Sequence, residues 1–306
     1  MPTPLFVLGK HRSGTTWLAN QLYQHPLIAG VAHERHEGIH ESAYFSSVYN
    51  RYGDLTERNN FMEFVEVISA CDYFKLAGAT KDFLYSLWPT TYEDVFRVVM
   101  DTYANSQGAT YWVEKSPAHT PLVDQLAATY PDAKFISITR NIEATIASTL
   151  ALKISHYGSG MSRRHLITAT ILRCIFYNKT LQSFSARSDR MLTVQYETLR
   201  NDRASSLQKI CTFLDLPFDS RMCDQVFVPN TSFGKVKRSQ VLSNSERKLI
   251  GRLHRLLQLI PLNVLTLIYR AKKHKRQSLP WWFFKLHSFN ENAAVSAEPS
   301  SHQELL

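Results

Sequence analysis

Only four cysteines occur in 306 residues, Cys71, Cys174, Cys211 and Cys223, and no two of them form a C-x-x-C pair. That spacing argues against a disulfide framework or a zinc site and fits a reducing, cytoplasmic compartment. The first residues carry neither a basic n-region nor an apolar h-region, so no signal peptide and no N-terminal anchor are expected. Long apolar runs are missing too. The stretch Leu256–Tyr269 is interrupted by Gln258, Pro261 and Asn263 and is too short to span a bilayer. Residues 1–234 lack net charge, with 22 basic and 22 acidic side chains, so the overall +9 resides in a late segment. There, residues 235–276 hold twelve Lys or Arg against one Glu. Such a segment suits an anion-binding loop, a membrane surface or a nucleic acid. The neutrality of the rest would make nucleic-acid binding an accessory role, and none is expected.

The most informative absence is one lysine. The apolar run Leu5–Leu8 ends in Gly9 and reads as a buried strand; GKHRSGTT follows, then a helical stretch Thr15–Gln24 closed by His25-Pro26. This is nearly the nucleotide loop G-x-x-x-x-G-K-[ST], but Thr15 stands where the lysine should be. That lysine reaches the β- and γ-phosphates of a triphosphate, so its absence points to a ligand without a γ-phosphate. Backbone N–H groups of a glycine-containing turn at a helix start still form an anion cradle. Arg12 adds a planar, bidentate cation to it.

Strand and helix signals then alternate. Helical spacing covers 55–70 and 91–105, and Thr110–Val113 reads as a strand running into EKSP. Pro121–Thr129 reads as a helix, KFISIT (134–139) as a buried strand leading into a helix from Asn141, and 162–187 as a long helix. MLTVQY (191–196) is a strand, and 203–214 and 243–258 are helices, the latter basic. The pattern predicts an α/β fold: a P-loop-type parallel sheet flanked by helices, with a helical cap insertion over about 40–108. Residues 1–275 are expected to form one domain and 276–306 a partly disordered tail. In such sheets ligands lie beyond the carboxyl ends of the strands, so the chemistry is sought after Leu8, Val113, Thr139 and Tyr196. After KFISIT stands Arg140, where a P-loop NTPase usually has a Mg²⁺-binding Asp. An Arg there, with Ser148 on the following helix, suits a second phosphate held without metal.

At this point a resemblance emerges. HRSGTTW resembles the 5′-phosphosulfate loop of sulfotransferases, and SITRNIEATIAS resembles their 3′-phosphate motif. WVEKSPAHT looks like the K-[ST]-P element of the bacterial and protein-tyrosine branches, and VQYETL looks like their Y-E-x-L strand. The resemblance covers about residues 5–250. It implies 3′-phosphoadenosine 5′-phosphosulfate (PAPS) as donor, no metal, and sulfuryl transfer to a hydroxyl or amine acceptor with a general base. It implies that Ser13, Gly14, Thr15 and Thr16, beside Lys10, hold the 5′-phosphate, with Arg12 on the transferring group. Trp17 and Tyr196 would contact the adenine side, Arg140 and Ser148 the 3′-phosphate, and Lys115 the leaving-group oxygen. NTSFGKVKRS (230–239) looks like the late nucleotide-closing loop, offering Lys235, Lys237, Arg238 and Ser239. For the base, the stretch HPLIAGVAHERHEG matches best at Glu34, with His33 and His36 as alternatives, since a neutral imidazole is a competent base near pH 7.

Each of these residues also has a plainer reading: core Trp17 and Tyr196, a solvated Lys115, a salt-bridged Arg140, a decorative histidine loop. The H-E-R-H spacing invites a metal, but it places the ligands at i and i+3 on a loop, with no cysteine or third histidine expected nearby, so no metal is expected. The aromatics of 40–108 suit either an acceptor-pocket lining or ordinary core. YRAKKHKRQSLPWWFF (269–284), basic then aromatic, resembles an interfacial segment and predicts peripheral contact with anionic membranes; the alternative is an aromatic hook folded onto the domain. Two other functions compete: a deviant P-loop kinase or ATPase using Lys10, and a non-catalytic binder of anionic surfaces through 235–276.

Overall fold

A computed structural model describes residues 1–156, 162–224, 241–273, 279 and 281–284. Strand β1 (Thr3–Leu8) leads through the glycine loop into α1 (Thr15–Leu22). Next come β2 (Ile28–Gly30) and a small antiparallel hairpin, β3 (Ala32–His33) and β4 (Gly38–Ile39), joined by a 3₁₀ turn at Glu34–His36. The cap follows: a π-turn at Tyr44–Val48, then α2 (Arg58–Ala70), α3 (Asp72–Leu76), α4 (Lys81–Ser86) and α5 (Tyr92–Ser106). Strand β5 (Tyr111–Glu114) runs through a 3₁₀ turn into α6 (Val123–Thr129), and β6 (Lys134–Thr139) into α7 (Ile142–His156). Beyond lie α8 (Arg163–Ser185), β7 (Met191–Gln195), α9 (Tyr196–Asn201) and α10 (Arg203–Phe213), then α11 (Asn244–Leu257) and α12 (Leu262–Lys273).

The sheet has the order β2-β5-β1-β6-β7, and every pairing in it is parallel. β1 is central because its LFVL run is buried on both faces, as parallel strands under two helical layers require. The chain leaves β1 to one side for β2 and β5 and returns to the other for β6 and β7. This reversal leaves a crevice at the carboxyl end of β1, where ligands bind in such sheets. The expected α/β sheet is present. The pattern missed β2, with three residues, and the hairpin strands, with two each, too few for a periodicity to register; it also missed the twelve-residue α12, whose run reads as interrupted by Asn263.

The cap shares its core with the sheet. Phe6 of β1 lies 5.6 Å from both Trp112 and Phe135, and Phe96 of α5 lies 5.7 Å from Trp112 and 4.9 Å from Tyr44. Tyr44, Phe45, Phe61, Phe64, Tyr73, Phe74 and Tyr92 are all buried there, so most cap aromatics are core. Burying one such ring contributes about 1.5–3 kcal/mol. Phe283, beyond the expected domain boundary, is buried in the same core, with Leu279 and Phe284 packed against it. For that ring the aromatic hook, and not the membrane interface, is the structure observed. No helix among the described residues is long and apolar enough to cross a membrane.

Candidate functional site

The first loop is shaped by its glycines and by threonine ties. Gly9 has φ 154°, and a Cβ there would come within 2.7 Å of the Ile138 carbonyl oxygen of β6. Its N–H donates to Thr120 Oγ1 (2.9 Å), and that hydroxyl donates back to the Gly9 carbonyl (3.1 Å). Gly14 has φ 103°, and a Cβ would strike the Tyr196 ring at 2.5 Å. Arg12 too adopts a left-handed backbone, φ 75°. Gly14 offers no side-chain cap and α1 has no acidic residue in its first turn, so the opening N–H groups and the positive helix end suit an anion. Ser13 Oγ and Trp17 Nε1 are buried with no hydrogen-bond partner among the described residues. A loop with backbone donors at a helix start and an unsatisfied buried hydroxyl fits a phosphate group.

The second motif folds onto the first. Arg12 Nε donates to Ser148 Oγ at 3.0 Å, and Arg140 Nη1 donates to the Arg12 carbonyl at 2.9 Å. The Arg140 guanidinium lies 4.1 Å from the Tyr196 ring centre, a cation–π distance. Tyr196 meets Trp17 edge-on at 5.4 Å, and Arg203 lies 5.6 Å over the Trp17 ring. Tyr196 and Trp17 are thus buried and part of the loop's wall at once. Tyr196 opens α9 rather than ending β7. Arg203 was not among the sequence candidates; it stands seven residues past Tyr196, on a different helix, where no motif marks it. Lys10 is buried, and its Nζ donates to the His11 carbonyl at 3.0 Å. Burial lowers its pKa, and the nearby charges of Arg173 and Arg12 push the same way. Lys235, Lys237, Arg238 and Ser239 lie outside the described residues.

The third element stands at the end of β5. Lys115 is almost completely buried; its Nζ donates to Thr16 Oγ1 (3.1 Å) and to Glu41 Oε1 (2.8 Å). The solvated-lysine reading therefore does not hold. Glu41, whose side chain is 26% exposed, was not a sequence candidate. Glu34, the sequence's best match for a base, is exposed in the 3₁₀ turn of the hairpin. His33 is half-buried beside it, 6.4 Å from the His36 ring. His36 turns to Asp72, 3.3 Å away, and stacks on His40 at 3.6 Å. The structure thus brings Lys115, Thr16 and Glu41 together and turns His36 to another partner.

The reason is local. Asn20 of α1 holds the hairpin, donating to the Glu37 carbonyl (2.9 Å) and accepting from the Ile39 N–H (2.8 Å). The chain after β4 is then tied to β5: Ser42 Oγ donates to Glu114 Oε1 (2.7 Å), and the Ala43 N–H donates to Ser116 Oγ (2.9 Å). Glu41 immediately precedes this clamp and so faces Lys115. Glu114 itself is fully buried, accepting from Ser116 Oγ at 2.5 Å and lying 2.9 Å from His119 Nδ1. Burial alone would raise its pKa, but attraction to His119 and the hydrogen bonds from His119, Ser116 and Ser42 outweigh it and hold the group below the ordinary value.

His36, His40 and Asp72 have ligand-type atoms within 4.8 Å of one another. A third histidine does lie near the H-E-R-H stretch: His40, four residues past His36, which joins His36 and Asp72 while His33 is not part of the group. The His36 and His40 rings are stacked, 16° from parallel.

The sulfotransferase family model matches residues 4–220 of the chain. No curated protein matches it. Among solved structures, the chain resembles the sulfotransferase from Alicyclobacillus acidocaldarius at 17% identity, covering 87% of this chain and 98% of that one, with a TM-score of 0.49. The sulfotransferase domain of the Synechococcus PCC 7002 olefin synthase gives 17% identity, 91% and 96% coverage and a TM-score of 0.48. Mouse sulfotransferase SULT7A1, complexed with PAP, gives 13% identity, 88% coverage of both chains and a TM-score of 0.49.

Proposed function

The chain belongs to the sulfotransferase family, an enzyme class that uses PAPS as donor and a hydroxyl or similar group as acceptor, and from that premise we propose that Glu41 is its general base. The Lys115–Glu41 contact at 2.8 Å, beside Thr16 of the phosphate loop, carries the proposal. PAPS supplies the activated sulfuryl group and a bisphosphate handle.

Thr15 and Thr16, with the first-turn N–H groups of α1 and Ser13 Oγ, hold the 5′-phosphate. Arg140 and Ser148 take the 3′-phosphate, and Trp17, Tyr196 and Arg203 border the base. Arg12 stabilises the equatorial sulfuryl oxygens as charge builds on them. Glu41 removes the acceptor's proton as the new S–O bond forms. Lys115 meets the negative charge left on the departing phosphate as the old S–O bond breaks. Glu114 and His119 act at one remove, since Ser42 and Ser116 pass their grip to the segment that aims Glu41. Lys10 donates to its neighbour's carbonyl, which does not support the kinase reading in which it replaces the missing lysine. All four cysteines are free, which supports a reducing, cytoplasmic setting.

A PAPS-dependent transfer assay against a library of alcohols, phenols and amines tests the reaction, and Glu41→Gln tests the base. Loss of turnover with retained affinity for adenosine 3′,5′-bisphosphate is expected. Retained turnover in Glu41→Gln would remove Glu41 from the mechanism.

A further inference from the structure

We propose that the outward side of α12, with the turn that joins it to α11 and the basic side of α11, docks on anionic lipid bilayers. Among the described residues, five of the large exposed hydrophobic side chains fall within thirteen positions: Leu256 (64% exposed), Leu259 (78%), Val264 (40%), Leu267 (65%) and Ile268 (45%). They are not leftovers of an inward face. The same two helices bury Ile250 and Leu265, and pack Leu253, Leu257, Leu262 and Tyr269, against the cluster they share with α7 and α8. α12 is therefore apolar on a second side that nothing described covers, and Leu256 at the end of α11 and Leu259 in the turn after it are exposed as well. On α12, Val264, Leu267 and Ile268 stand at i, i+3 and i+4 and form one outward stripe. Leu256 and Leu259 extend it around the turn that Pro261 closes.

Charge decides what fits that stripe. Lys248, Arg252 and Arg255 are exposed at i, i+4 and i+7 on α11, leading directly to Leu256 and Leu259, and Arg270 is exposed towards the end of α12. The one acidic residue of the two helices, Glu246, is engaged by Arg163 at 2.5 Å and by the N–H of Ser243 at 2.8 Å. The face is apolar in its middle and positive along its flank; among the described residues, Glu143 pairs with Arg247 of α11, and neither helix carries a carboxylate free of an arginine. A bilayer with anionic head groups matches both halves: the leucines enter the acyl boundary while the arginines meet phosphates and carboxylates. A nucleic acid would use the cations and leave the leucines in water. A second copy of the chain would set Arg252 and Arg255 against their own kind. The expectation of a membrane contact through 269–284 falls partly outside the described residues, and its Phe283 is core; the contact proposed here uses α11, α12 and their turn instead. The proposal is independent of the transfer reaction, because none of these residues is among those assigned a role in it.

The test is flotation of the full chain with vesicles of phosphatidylcholine alone and of phosphatidylcholine with phosphatidylserine, at low and high salt. Binding to the phosphatidylserine vesicles at low salt, lost at high salt, is expected. Leu259→Ser with Leu267→Ser, and separately Arg252→Ala with Arg255→Ala, should each weaken it by about tenfold or more. Bisphosphate affinity should stay unchanged in both, showing the fold intact. Leu259→Trp adds a positive readout: its emission should shift to the blue on vesicle binding. Several results overturn the proposal: no binding at low salt, binding indifferent to both double variants, or no shift in Leu259→Trp. So does binding that appears only after residues 285–306 are removed, which would mean that the chain covers this face itself. A concentration-dependent dimer abolished by the leucine changes, without vesicle binding, would assign the face to self-association instead.

Discussion

The nucleotide side and the acceptor side of this site are built in opposite ways. The nucleotide side is centred on a contiguous loop, Gly9 and Gly14 at positive φ and then α1 at once, which Thr120, Ser148 and Arg140 brace from distant elements. The acceptor side rests on one ion pair between residues 74 positions apart, Lys115 and Glu41, each held by a separate strand or hairpin end. Two carboxylates sharpen the contrast. Glu114 is fully buried with its oxygens engaged, a fixed anchor; Glu41, five positions from the β3–β4 turn, is partly exposed and available to an incoming group. The proposed base thus sits where the network is incomplete, and the rigid anchor one layer below.

The largest expected effect breaks the acceptor side alone. Glu41→Gln and Lys115→Ala should lower single-turnover transfer by roughly 10²–10⁴-fold, while Glu34→Gln leaves it within a small factor. The opposite ranking would return the base to the hairpin turn. Next comes the anchor. Glu114→Ala removes one partner of a buried network and should cost about 3–5 kcal/mol of stability, read from urea unfolding. Because the folded pKa of Glu114 lies below its ordinary 4.5, its contribution is present above that value and lost as pH falls through the folded pKa. Glu114→Gln should accordingly flatten the acid limb of the stability profile below about pH 4.5. A limb unchanged by the substitution would mean the loss arises elsewhere.

On the nucleotide side, Arg140→Ala should weaken adenosine 3′,5′-bisphosphate by about 1.5–3 kcal/mol and adenosine 5′-phosphate by much less. Calorimetry with the two ligands separates these, and equal losses would make Arg140 a support for the Arg12 carbonyl and nothing more. The smallest expected effect is none: chelation of divalent metal should leave bisphosphate affinity unchanged, since Arg140 occupies the place where a metal-binding Asp would stand. A strict Mg²⁺ requirement would break that half of the comparison.

Much of the frame was legible because it depends on short-range rules. A buried apolar run followed by a glycine turn and a helix can be read from sequence spacing, and so can an Arg at a strand end with Ser eight residues on. Arg203 was not legible because its stacking on Trp17 depends on how α10 packs across α1, which no local pattern encodes. The surface stripe of α11–α12 was hidden for a different reason. The apolar run Leu256–Tyr269 reads as interrupted in one dimension, and only the packing of Ile250 and Leu265 inward reveals which of its residues remain outside.

The sequence by itself determined the strand-loop-helix cradle, the missing lysine, the arginine in the metal's place and the family they identify, because each is set by residues adjacent along the chain. Tertiary structure alone decided which carboxylate meets Lys115. Glu34 and Glu41 lie seven residues apart on one segment, and the sequence pointed to the first and passed over the second. The hairpin pinned by Asn20 and the clamp of Ser42 and Ala43 onto the end of β5 leave the first in solvent and aim the second at the lysine.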